Sequence, residues 1–222
     1  EFSGKLSSYN LVVLHQVPST TVPAKALFEQ LKTDNTPVFF IAGSNTNMLS
    51  LASLQLGLQV KDLNSRSNEL FPSVNKDFSL FTLSEVASRA LNQLPPALSL
   101  FATYSSTAGA TNTLLFQRIG NVVTNQPLLF FSKNNQRKCA FLLGEGLWRW
   151  RLRDFLLNGS SAASDEVLGK CVHYLSAPEE KKPFRIIGKT SYNEGDPILF
   201  DAELYNENYE LINTPDASIT IT

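Results

Sequence analysis

Cysteine, histidine and methionine are all scarce: the 222 residues hold two cysteines, two histidines and one methionine. Cys139 and Cys171 give neither a metal-ligand spacing nor a disulfide framework. Each lies on an apolar pattern and reads as a buried thiol, and a bond between them stays open if the domain is exported. No metal and no cofactor are expected. An excess of one charge is missing too. Nineteen basic residues face 20 acidic ones, for a net charge of −1, so there is no electrostatic footprint for nucleic acid or for an anionic membrane surface.

No apolar run reaches the roughly 18 to 20 residues that cross a bilayer, and no signal peptide opens the chain. Direct membrane insertion by these residues is therefore not expected. There is no initiator methionine before Glu1, and Ile219 to Thr222 still alternate apolar and polar at the end. Both ends read as cuts in a longer parent chain.

What is present suffices for a core: 43% of residues are hydrophobic, with 15 phenylalanines. The length permits one large domain, or a medium one with an appendage. Asn10 to Leu14 is a continuous apolar run, as in a strand covered on both faces. Pro23 opens a helix whose stripe is Ala24, Leu27, Phe28 and Leu31. Pro37 to Ala42 is a second buried strand, closed by Gly43. Asn45 or Thr46 then caps a helix carrying Met48, Leu51, Ala52 and Leu56. Residues 64–77, polar and broken by Pro72, read as an excursion loop. Thr82 and Glu85 form a capping box, stapled by Phe81 and Val86, before a stripe of Ala87, Ala90, Leu91 and Leu94.

Strands are expected at Leu114 to Ile119, Pro127 to Phe131 and Cys139 to Leu143, the last two joined as a hairpin through Asn134 to Gln136. Leu147 to Leu157 reads as a helix stopped by Asn158-Gly159, with Trp148, Leu152 and Phe155 on its buried face and Arg149 and Arg153 exposed. A last helix starts near Ser164, with the stripe Leu168, Cys171, Val172 and Leu175. Ser176 to Pro183 is charged and patternless, so a domain boundary falls there: residues 1–178, then 183–222. The tail carries strand signals at Phe184 to Lys189, Ile198 to Tyr205, Tyr209 to Ile212 and Ala217 to Thr222, with turns at 193–196 and 213–216.

The run Tyr9-Asn10-Leu11-Val12-Val13-Leu14, a helix, then Pro37 to Asn45 resembles the opening of class I glutamine amidotransferase-like domains. That resemblance implies a three-layer, flavodoxin-like α/β fold with a mostly parallel sheet, followed by a small all-β segment. In the family the second strand ends in a nucleophile elbow, and the matching position here is Ala42. The late His-x-Glu is missing as well, since His173 is followed by Tyr174 and Leu175. Amidotransfer by a thiolate needs the nucleophile, a base and an orienting carboxylate. No catalytic residue is expected.

Gly144 to Arg151 and Leu204 to Glu207 look like an uncharacterised group of bacterial, membrane-anchored proteins. In that group such a domain precedes a β-sandwich-like module. The likeness implies that residues 183–222 begin an Ig-like sandwich. It also implies a cell-envelope location, anchored in the inner membrane through missing segments and facing the periplasm. Partners would be other domains of the parent chain or another protein.

The candidate ligand pocket is His15, Gly43, Ser44 and Asn45, at the carboxyl edge where open α/β sheets bind ligands. A serine reaction there would need His15 as the base of Ser44, giving a rival reading as a hydrolase or transferase. Gly144-Glu145-Gly146 is a strand-to-helix turn in which Glu145 would repel phosphate. Trp150, Arg149 and Arg151 form a candidate surface patch through stacking and cation–π contact. Non-catalytic interaction or scaffolding is the expected function.

Overall fold

The computed structural model describes residues 4–64, 66–106, 111–134, 137–177, 184–188, 200–205 and 211–212. The chain divides into two compact units, Glu1–Ala177 and Pro178–Thr222.

The first unit is built on seven strands. Three of them run parallel: β1 (Val12–His15), β2 (Val38–Ile41) and β9 (Arg137–Leu142). The rest of the sheet is antiparallel and is made of β8 (Val122–Asn134), β7 (Thr111–Ile119), β4 (Ser67–Val74) and β5 (Ala97–Leu100). The order is β1-β2-β9-β8-β7-β4-β5. A small antiparallel pair, β3 (Leu58–Lys61) with β6 (Thr103–Ser106), lies outside it.

This mixed, strand-dominated sheet corrects the expectation of a three-layer, mostly parallel α/β fold. The reason is in β4, β7 and β8. Pro72 made residues 64–77 read as a loop, yet β4 pairs with β5 through 67–70 and with β7 through 71–74. Pro72 therefore lies where β4 has a neighbour on one side, and a missing N–H is tolerated there. β7 and β8 are also longer than their apolar centres, meeting across Gly120 at φ 58°.

The strand period of two splits the core between the faces of the sheet. Val38, Phe40, Cys139, Phe141 and Phe130 pack with helices α1 (Lys25–Thr33) and α2 (Met48–Ala52). Their rings stack at 5.0 Å (Phe40 on Phe141) and 4.9 Å (Phe130 on Phe141). Phe39, Ile41, Leu129, Phe131, Ala140 and Leu142 face the other way, with α3 (Glu85–Leu91) and α5 (Ala162–Ser176). β1 is the edge strand and Val13 is half exposed, so its apolar run is not covered on both faces.

Three helix starts differ from the sequence expectation. α2 is capped by Asn47, whose side chain accepts from Ser50 N at 3.0 Å, while Thr46 instead accepts from Gly43 N. α3 is capped by Ser84 rather than Thr82, and Val86 is exposed. Ser84 is fixed by Glu166 of α5, to which it donates from both N (2.8 Å) and Oγ (2.6 Å). Helix α5 begins at Ala162, slightly before the expected Ser164.

Helix α4 (Leu147–Asn158) forms where expected and stops at Gly159 in the left-handed region, but it presents the opposite face to the core. Trp150 and Asp154 are buried, at 4% and 1% exposure, while Trp148 is 69% exposed. Polar contacts set this rotation. Trp150 Nε1 donates to Pro95 O at 2.9 Å, and the Asp154 carboxylate accepts from Ser164 N, in the first turn of α5, at 2.8 Å.

In the second unit, β10 (Phe184–Gly188) pairs antiparallel with β11 (Phe200–Leu204), and Tyr205 bridges Leu211. The strand expected over 217–222 and the turns over 193–196 and 213–216 lie outside the described residues.

Candidate functional site

Parallel pairing brings the carboxyl ends of β1, β2 and β9 side by side, which places three loops together. Gln16 N donates to Ile41 O and Ala42 N to Leu142 O, both at 2.8 Å, so the strands stay in register to their last residues. Past β9, Glu145 and Leu98 exchange backbone bonds at 2.8 and 3.0 Å. That exchange ties the third loop to the region of β5.

The side chains of these loops converge on Glu145. Ser44 Oγ donates to Glu145 Oε1 at 2.7 Å, and Gln16 Nε2 donates to Glu145 Oε2. Asn45 N donates to Gln16 Oε1 at 3.1 Å. Gln16 adopts φ 53°, a left-handed conformation that side chains other than glycine rarely take. Gly43 lies close under the cluster: a Cβ there would sit 2.8 Å from Glu145 Oε2 and 2.9 Å from Gln16 Cδ, so a larger residue would displace those side chains. The result is a carboxylate held by donors from two other loops.

Of the expected pocket residues, Gly43, Ser44 and Asn45 belong to this cluster. His15 ends β1 and is exposed, and among the described residues no hydrogen bond joins it to Ser44. The Ser44 hydroxyl proton is directed at a carboxylate instead. Gln16 and Glu145 were missed as members. Gly144-Glu145-Gly146 was the available signal, since glycines around a polar residue after a buried strand mark a close approach of chains.

Ala42, the position that the sequence resemblance matches to a nucleophile elbow, carries no nucleophile. Ala42 is 3% exposed, and its methyl lies in the core with Phe40 and Phe141. Cys139 and Cys171 are free and buried, and they belong to separate core clusters. Burial pushes both thiols up to about 12, which keeps them protonated and unreactive at neutral pH. Among the described residues no group of three acidic, histidine or cysteine side chains could hold a metal ion. A cavity of about 550 Å³, lined by Ala52, Gln55, Leu58, Gln59, Val60 and Lys61, includes none of the edge residues.

The candidate surface patch does not assemble as one platform. Trp150 is in the core, and Arg149 folds back toward Gly146. Arg151 makes a bidentate pair with Asp165 at 2.7 and 3.2 Å. Those hydrogen bonds from Arg151, with one from Ser161, hold the Asp165 carboxyl below its usual range.

No family model matches the chain, and no curated protein is similar to it in sequence. Among solved structures it is similar to the cytoplasmic protein STM3548 of Salmonella typhimurium, with 13% identity and a TM-score of 0.46 over 77% of this chain and 74% of that one. The cytoplasmic protein STM1381 of Salmonella typhimurium LT2 is similar at 14% identity and a TM-score of 0.46, over 77% and 76%. A β-galactosidase from Bacillus circulans sp. alkalophilus is similar at 11% identity and a TM-score of 0.41, over 75% of this chain and 24% of the enzyme. Likenesses at this level bear on neither activity nor partners. Both Salmonella proteins are described as cytoplasmic, and no helix among the described residues is long and apolar enough to cross a membrane, so the envelope location and inner-membrane anchoring expected from the sequence are not carried forward.

Proposed function

We propose that the first unit is a non-catalytic, amidotransferase-like interaction or scaffold module of a larger protein. The observation that carries this reading is Ala42, a buried methyl at the position where the resembling enzymes place their nucleophile. The remaining machinery is absent as well. Ser44 points its proton at Glu145 rather than at an imidazole, and the other oxygen of that carboxylate is already engaged by Gln16, so the pair reads as a structural link between loops. Glu145 acts as a clasp between loops, which suits a rigid scaffold better than a reacting centre. Partners would be other domains of the parent chain or a separate protein.

The test is ammonia release from glutamine by the full chain and by Ala42→Cys. Neither is expected to exceed the uncatalysed background, because base and carboxylate are missing alongside the nucleophile. Sustained release by the unaltered chain, abolished in Ser44→Ala, would overturn the proposal.

A further inference from the structure

Helix α4 turns its most apolar side chains outward. Trp148, Leu152, Phe155 and Leu156 are 69%, 50%, 56% and 69% exposed. Their spacing of i, i+4, i+7 and i+8 gathers them into a single stripe within about 100° of arc. Single exposed apolar residues are ordinary, whereas four large ones in one stripe mark an interaction surface.

The charge beside the stripe is of one sign. Arg149 and Arg153 follow Trp148 and Leu152 along one flank, and neither has an ion pair among the described residues. Arg151 lies on the other flank and is already paired with Asp165. The only acid of α4 is Asp154, which is buried and occupied by Asn158 and Ser164.

We propose that this face of α4 docks an amphipathic helix of a partner protein, with an apolar stripe bordered by acidic residues. This rests on the reading of the chain as an interaction module and names its surface. The anchors have the i, i+4, i+7 pattern by which helices pack into one another. From Trp148 to Leu156 the stripe is about 12 Å long, the footprint of a short helix. A stable dimer buries about 800 Å² on each partner, and a second copy would bring the same unpaired Arg149 and Arg153 to the seam, while the acid beside the stripe, Asp165, is already taken by Arg151. An anionic lipid surface fits less well, because Asp165 and Glu166 open the neighbouring helix and the net charge is −1.

The experiment uses the full chain and two stapled helical peptides of about four turns. Both carry the same Leu/Phe stripe, flanked by Glu in one and by Lys in the other. Fluorescence polarisation at low salt should show the Glu peptide binding at least about tenfold tighter than the Lys peptide. Leu156→Glu should remove binding without altering the melting temperature, since Leu156 is a surface residue. The double variant Arg149→Glu/Arg153→Glu should reverse the preference toward the Lys peptide.

Absence of binding, or equal binding of both peptides, would overturn the proposal. So would binding that survives Leu156→Glu unchanged. Dimerisation in sedimentation that Leu156→Glu abolishes would assign the face to a second copy instead. Tighter co-sedimentation with phosphatidylglycerol vesicles than with either peptide would assign it to lipid. None of these outcomes requires catalysis, so they leave the module reading standing. Turnover dependent on Ser44 would defeat that reading whatever the peptides do.

Discussion

At the scale of single residues, the two tryptophans of α4 have exchanged the roles that periodicity assigns them. The stripe Trp148, Leu152, Phe155 is the most apolar line on the helix, so burial by hydrophobicity alone would choose it. The fold instead buries the line bearing Trp150 and Asp154, because each meets a specific polar partner. Trp150→Ala should then lower stability by about 3–5 kcal/mol, whereas Trp148→Ala should stay within about 0.5 kcal/mol of the parent. Urea denaturation of both variants checks the contrast, and equal losses would refute it. The cysteines add a pH signature. Burial pushes both folded thiols up to about 12, above the usual thiol range, so the folded state retains protons that the unfolded chain gives up. Their contribution to stability is full below about pH 9 and declines as pH rises toward 12. Replacing both with alanine should flatten that alkaline decline in a series of denaturation midpoints.

At the scale of elements, the sequence was most legible where one local rule acted alone. The buried strand at Val38–Ile41, the stripe Leu27, Phe28 and Leu31, and the stop at Gly159 all follow from periodicity, burial or backbone freedom. It was least legible where a distant partner chose between local options. The start of α3 sits at Ser84 because Glu166, 82 residues on, accepts its donors. The start of α5 likewise depends on Asp154 across the α4–α5 junction. Asp154→Ala leaves the buried Ser164 N–H without its acceptor and should lower stability by about 1–3 kcal/mol. Asp154→Asn, which keeps an acceptor oxygen, should lose less; a matched loss would show that the contact is not a cap. Gly57, at φ 111°, has Ser132 Cβ 2.5 Å from where its own Cβ would lie. Gly57→Ala should therefore destabilise the start of β3 by more than the 1–3 kcal/mol of backbone strain alone, as read in thermal melts.

At the scale of the whole molecule, the likeness of the opening β-α-β run to an amidotransferase-like domain says little about the rest of the sheet. Parallel pairing ends at β9, and the remaining strands pair antiparallel, β7–β8 and β8–β9 as hairpins and β4 across longer connections, an arrangement that Pro72 and the polar ends of β7 and β8 concealed. Three carboxyl edges still converge, and the sequence placed Gly43, Ser44 and Asn45 there. It could not show that Gln16 and Glu145 would fill the space between them, since they lie 129 residues apart. Labelling by a fluorophosphonate, read residue by residue in peptide mass spectra, asks directly whether this edge holds a nucleophile. Without catalysis, Ser44 should react no faster than other exposed serines, and His15→Ala should change nothing. A stoichiometric adduct at Ser44, lost in His15→Ala or in Glu145→Gln, would contradict the non-catalytic reading.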